Sequence, residues 1–211
     1  MDGKLFQVIL LKVSYNKEKK LSFIGSFTLF NKEVKRFLKV YQQTIVAPAF
    51  TSLLFLLVIN VALEERTTYE FNYIDFLAPG LIVMGMMQNA FANTTSSLMI
   101  SKVQGNIVDI LYPPLSPGEV TFAIILGGIT RGLVVGIFSI LVSLIFIKVP
   151  FNHIFYVIIF ATLGSCFLSS LGFIAGLWAE KFDNMASATN FIIVPLSFLS
   201  GTFYSIKRLP E

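Results

Sequence analysis

Five long intervals of this chain are nearly free of formal charge, and they constrain its fold more than any other feature. Lys39 to Glu64 encloses 24 uncharged residues, Asp75 to Lys102 encloses 26, and Lys148 to Glu180 encloses 31. Asp183 to Lys207 encloses 23, and the 28 residues between Glu119 and Lys148 are interrupted only by Arg131. A helix needs about 20 mostly apolar residues to cross a hydrocarbon core. Each interval supplies one crossing, placed near 45–63, 76–99, 121–147, 154–178 and 187–206. Strands of a membrane barrel would run about ten residues with alternating polarity, and no interval alternates. The fold class expected is all-α, a polytopic helical membrane protein with five visible transmembrane helices.

Composition supports that class. Charged residues make up 13% of the chain, against about a quarter in an average soluble domain. So little charge cannot cover a water-facing surface, which excludes a soluble globular enzyme, a disordered chain and a nucleic-acid-binding module. The net charge of +4 is lopsided: residues 1–44 carry +6 and the remainder −2. Lys and Arg near helix ends set orientation. With the N-terminus inside, the inner segments hold eleven of them and the outer ones four, Arg66, Lys148, Lys207 and Arg208. Tyr41, Tyr69, Tyr73, Tyr112, Tyr156, Trp178 and Tyr204 fall at or just beyond the span ends, where aromatic rings anchor at the interface. The expectation is a multi-pass protein of the cell inner membrane with a cytoplasmic N-terminus.

Residues 1–27 read as a cytoplasmic extension, because the apolar stretch Leu5–Leu11 leads into Lys12 and not into a small-residue cleavage site. Beyond it, Phe30, Val34, Phe37, Leu38 and Tyr41 recur at three- and four-residue spacing, with Lys32, Glu33, Lys35, Arg36 and Lys39 on the other side. That pattern predicts a basic amphipathic helix lying on the cytoplasmic lipid surface. It either anchors the first span or has a docking role of its own.

Three internal features bear on function. Val103, Ile107, Ile110 and Leu111 form one stripe of a short helix, and Tyr112-Pro113-Pro114-Leu115-Ser116-Pro117-Gly118-Glu119 then turns the chain back to the bilayer. The stripe packs on the protein's own spans or on a partner. Arg131 lies eleven residues into the third span, with Gln88, Asn89 and Asn93 of the second span as polar partners. A charge at that depth lines a pathway or snorkels to the interface. Gly128, Gly132 and Gly136, and likewise Gly172 and Gly176, repeat at four-residue spacing and predict close helix contacts.

No catalytic residues are assigned. The single histidine, His153, sits at a span end, and Ser165 and Cys166 have no histidine base at their depth. One cysteine excludes an internal disulfide and a Cys-based metal site. No phosphate-binding loop ending in Gly-Lys-Ser/Thr occurs, so no cofactor is expected on this chain and no nucleotide hydrolysis by that route.

From Phe27 onward the chain resembles the membrane subunit of an ABC-2 type exporter. The resemblance is carried by Leu171-Gly172-Phe173 through Trp178, Phe182-Asp183-Asn184, Pro195 through Tyr204, and Leu209-Pro210. Gln104-Gly105-Asn106 and Leu111 through Pro117 add to it. It implies a permease domain over 28–211, paired as a homodimer of permease subunits with an ABC ATPase subunit that binds the ATP. It implies that 101–111 is the ATPase-coupling helix, with Val103, Ile107, Ile110 and Leu111 as its docking residues, and that 28–43 is the interface helix. The family has six spans, so the resemblance also implies a chain truncated before its last helix. Readings of another class are an independent channel or secondary carrier, and a non-transporting membrane assembly protein.

Overall fold

The structure, a computed structural model, describes residues 23–64, 73–146, 154–199 and 202. Among them there are helices and turns and no strand. The elements are α1 (Phe23–Lys39), α2 (Ala47–Glu64), α3 (Tyr73–Val103), α4 (Ile107–Leu111), α5 (Pro117–Ser143), α6 (Ile154–Trp178), α7 (Phe182–Ala188) and α8 (Val194–Leu199). The expected extension up to residue 22, all four outer cations (Arg66, Lys148, Lys207 and Arg208), His153, Tyr69 and Tyr204 lie outside the described residues.

Three described helices are long and apolar enough to cross a membrane: Gln42–Ala62, Pro117–Ser143 and Phe155–Trp178. They are the first, third and fourth of the five expected spans. The second, α3, has ample length at 31 residues, about 46 Å at 1.5 Å per residue, but it carries a polar band from Gln88 to Ser97. That band is turned inward, since Asn89, Asn93, Thr94, Thr95 and Ser97 are all buried. Of the expected fifth span, the described residues form the end of α7, a π-helical turn and α8, as far as Leu199.

Two π-helical turns, Gln42–Val46 and Thr189–Ile193, each end two residues before a proline, Pro48 and Pro195. A proline inside a helix has no N–H to donate, and its ring crowds the carbonyl four residues earlier. Widening the preceding turn displaces that carbonyl. The wide turns close through Ala47 N–H to Gln42 O and Val194 N–H to Thr189 O, and each proline then falls in the first turn of a fresh α-helix, where it is tolerated.

α3 is the central helix, flanked by α2, α5 and α6. Its hydroxyls bind neighbouring backbones: Thr94 Oγ1 donates to Ser169 O at 3.0 Å and Thr95 Oγ1 to Gly172 O at 3.1 Å. Ser169 Oγ in turn donates to Ile125 O at 3.0 Å, joining α6 to α5. The glycine repeats sit at these contacts. A Cβ on Gly132 would lie 2.9 Å from Met86 O, and one on Gly172 would lie 2.6 Å from Phe91 O. Small residues let membrane helices approach until backbone meets backbone, and these positions do so.

α5 begins in a capping box. Glu119 N–H donates to Ser116 Oγ at 3.2 Å, while Ser116 N–H donates to Glu119 Oε2 at 2.6 Å. Pro117 occupies the first turn, where its missing N–H leaves no donor unmet. A cap of this kind contributes about 1 kcal/mol. It also fixes the direction in which the chain re-enters the bundle after α4.

Candidate functional site: the α4 surface and a buried polar cluster

α4 hangs from the C-terminal end of α3 by a tight turn at Gly105, whose φ of +75° falls in the region that favours glycine. Its apolar stripe does not share one environment. Ile110 is buried, Ile107 and Leu111 are half-buried, and Val103 on the preceding helix is exposed. Ile107, Ile110 and Leu111 help to line an apolar pocket of about 160 Å³, which Leu98, Val120 and Phe173 also line. Three of the four residues expected at a partner surface are thus turned toward the protein's own helices. Burying them there covers apolar area that α4 would otherwise expose to water.

The face of α4 that remains outside is a different one. Gln104 and Asp109 are exposed, Val108 is 59% exposed and Tyr112 is 89% exposed. Val108 and Tyr112 follow each other at four-residue spacing, one face of a helix, while Gln104 lies in the turn before α4. Sequence periodicity singled out the larger stripe and passed over this one. The signal available was the pair Val108 and Tyr112, two apolar side chains opposite the main stripe.

Lys102 ties this region to the far end of α6. Its Nζ donates to Leu177 O at 2.6 Å and to Ala179 O at 2.9 Å. Those carbonyls lie at and just beyond the C-terminal end of α6, where a cation is favoured by the helix dipole. Burial pushes the Lys102 ammonium below its ordinary pKa, with Glu180 acting in the opposite direction.

The second constellation lies where α1 meets α3 and α5. α1 departs from the amphipathic pattern at two of its five charges, Glu33 and Arg36: its buried stripe is Leu29, Glu33 and Phe37. Lys32, Lys35 and Lys39 stay exposed, but Glu33 is fully buried and Arg36 reaches into the bundle. Arg36 Nη2 donates to Asn93 O at 2.8 Å and Asn93 Oδ1 at 3.0 Å, and Nη1 to Ser96 Oγ at 3.3 Å. Glu33 Oε2 lies 3.1 Å from Arg36 Nη2. The reason is room and charge together. Gly127 of α5 offers no side chain, and a Cβ there would lie 2.7 Å from Glu33 Cβ. Leu29 and Phe37, one turn to either side of Glu33, pack in apolar clusters with Ala123 and Ile124, and with Val135, of α5.

Arg131 sits beside the same cluster. Its Nη2 donates to Asn89 Oδ1 at 3.0 Å, and Asn89 stands one turn from Asn93 on α3. Gln88 is half-buried. Asn89 and Asn93 therefore form a short ladder, each amide accepting from one arginine.

Residues 26–211 match the family described as ABC-2 type transporter. The chain belongs to that family. The inner membrane transport permease YadH of Escherichia coli K12 and its counterpart in Shigella flexneri are each 32% identical to it over 192 residues. Those alignments cover 90% of this chain and 75% of each relative. No solved structure matches. The resemblance read from the residues is thus the family found, and this ABC-2 protein is the membrane subunit of a transporter. Its relatives are permeases, a family whose members are not themselves the catalytic subunit.

Proposed function

We propose that this ABC-2 subunit is the permease of an ATP-driven exporter in the inner membrane, powered by a separate ATPase that docks on α4. The N-terminus, α1, α4 and the α6–α7 turn lie on the cytoplasmic side, in keeping with the excess of Lys and Arg in those segments. ATP is bound by the partner. Closure of the ATPase pair moves α4, and two permease copies exchange inward- and outward-facing arrangements of the pathway between them. The observation that carries this reading is the two-sided character of α4. Its rear face rests on the apolar cavity, while Val108 and Tyr112 stand exposed at the end of a tight glycine turn. Lys102, tied to the α6 carbonyls, carries displacement of α4 into a second helix. Arg131, Gln88, Asn89 and Asn93 are the polar groups nearest to a pathway.

Affinity purification of the full chain from native membranes in mild detergent tests the reading. A nucleotide-binding subunit is expected in about equal amount. A permease that purifies alone across several mild detergents, with no ATPase bound, overturns it.

A further inference from the structure

We propose that the pocket behind α4 is a lipid site: one acyl chain of an anionic phospholipid lies along its apolar wall, and the headgroup phosphate pairs with the Lys102 ammonium.

The walls of the pocket suit an amphiphile. Leu98, Ile110 and Leu115 line it and are buried, which gives it an apolar floor. Its volume of about 160 Å³ is close to the roughly 150 Å³ of cavities that take up a benzene ring. A stretch of about six carbons fits such a space, and a whole chain does not. The polar group stands at one edge. Leu177 and Lys102 both line the pocket, Leu177 is 40% exposed, and Lys102 Nζ is held on Leu177 O. The ammonium is therefore beside an outward-facing part of the wall. Its two acceptors, Leu177 O and Ala179 O, are neutral carbonyls. An ammonium has three N–H donors, so one is left for an anion. Burial works against the charge of Lys102 and Glu180 works for it.

Position along the spans supplies the occupant. Lys102 lies in the last turn of α3, Leu177 in the last turn of α6 and Pro117 at the start of α5. α5 and α6 are long and apolar enough to cross a membrane, so their shared end falls where headgroups meet acyl chains. Trp178, 65% exposed at the end of α6, is the kind of side chain that anchors at that level. An apolar pocket there is within reach of acyl chains, and a cation at its edge selects a negative headgroup.

Trp178 makes the test direct, since it is the only tryptophan of the chain and adjoins Leu177. The full chain is reconstituted in phosphatidylcholine vesicles that carry a small, equal fraction of brominated phosphatidylglycerol or brominated phosphatidylcholine. The bromines are on the carbons nearest the headgroup. One lysine beside an anionic headgroup gives a preference of about fivefold. At low lipid fraction, phosphatidylglycerol is therefore expected to quench Trp178 fluorescence about fivefold more than phosphatidylcholine does. Lys102→Gln removes the charge and Val120→Phe fills the pocket, and each is expected to abolish the excess. Lys181→Gln, at a lysine that does not line the pocket, should retain it. Equal quenching by the two lipids in wild type, or an excess that survives either Lys102→Gln or Val120→Phe, overturns the assignment. So does its loss in Lys181→Gln, which would mark a general basic surface. If Lys102→Gln does not accumulate, Val120→Phe decides in the same way. A brominated fatty acid that quenches where phosphatidylglycerol does not would overturn the phospholipid as occupant.

Discussion

Replacing Gly128 with leucine is expected to break up the helix bundle. A Cβ at this position meets Ser169 Oγ, Thr94 Cγ2 at 2.8 Å and Ala90 O at 3.0 Å. The hydroxyl can rotate away, but the carbonyl of Ala90 belongs to the backbone of α3. Any side chain therefore drives α5 off α3, and a leucine does so by several ångströms. Overpacking alone costs about 1–3 kcal/mol. Separation also loses the bond from Ser169 to Ile125 O and disturbs the bond from Thr94 to Ser169 O, each about 0.6 kcal/mol between membrane helices. The combined loss, about 3 kcal/mol or more, is a large share of the stability of an ordinary domain. The monodisperse fraction on size-exclusion chromatography should fall several-fold, with a large drop in melting temperature. Gly118→Ala is the control, because nothing lies within 4 Å of a Cβ there. Alanine is the better helix former, so this variant should be as stable as wild type or slightly more so. A Gly128→Leu protein as stable as wild type would contradict the packing described.

The second large effect is expected on the outer face of α4. Val108→Asp combined with Tyr112→Ala should abolish retention of the ATPase subunit while leaving membrane insertion and melting temperature near those of wild type. Truncating an aromatic anchor at an interface costs about 2 kcal/mol, near a thirtyfold loss of affinity, and the carboxylate at 108 adds to it. Both side chains are more than half exposed, so the fold loses little. Ile107→Asp should behave differently. It sets a carboxylate at the wall of the apolar cavity, so melting temperature and ATPase retention fall together. Measuring the two quantities side by side separates docking from support. Equal ATPase retention by wild type and the Val108→Asp/Tyr112→Ala protein would exclude this face as the dock.

Much of the fold was legible in the residues, and the exceptions share a cause. Charge-free intervals locate apolar helices, because burying charge in lipid is costly whatever the tertiary arrangement. α3 departs from that rule: its polar band makes it less apolar than its neighbours, yet those side chains find partners inside the bundle. The glycine spacing also reads correctly, since close approach excludes a side chain on any route. Periodicity, by contrast, identifies a face and not what the face meets. On α1 it gathered Phe30, Val34 and Phe37 on one side and put Glu33 and Arg36 on the other. The burial of Glu33 depends on the absent side chain of Gly127, nearly a hundred residues away, and on its pairing with Arg36. On α4 the strongest stripe reads equally as a dock or as a seat. The pocket beneath it, which α3, α5 and α6 also line, is assembled by residues far apart in the sequence.

Position 112 offers the most direct measurement of the central claim. A photo-crosslinking phenylalanine analogue replacing Tyr112, which is 89% exposed, is irradiated in intact cells. A control carries the same analogue at Ile110, which is buried at 4% exposure. A permease driven by a docked ATPase yields an adduct with a nucleotide-binding subunit from position 112 and none from position 110. No ATPase adduct from position 112, in cells where the permease is folded and inserted, would contradict the account.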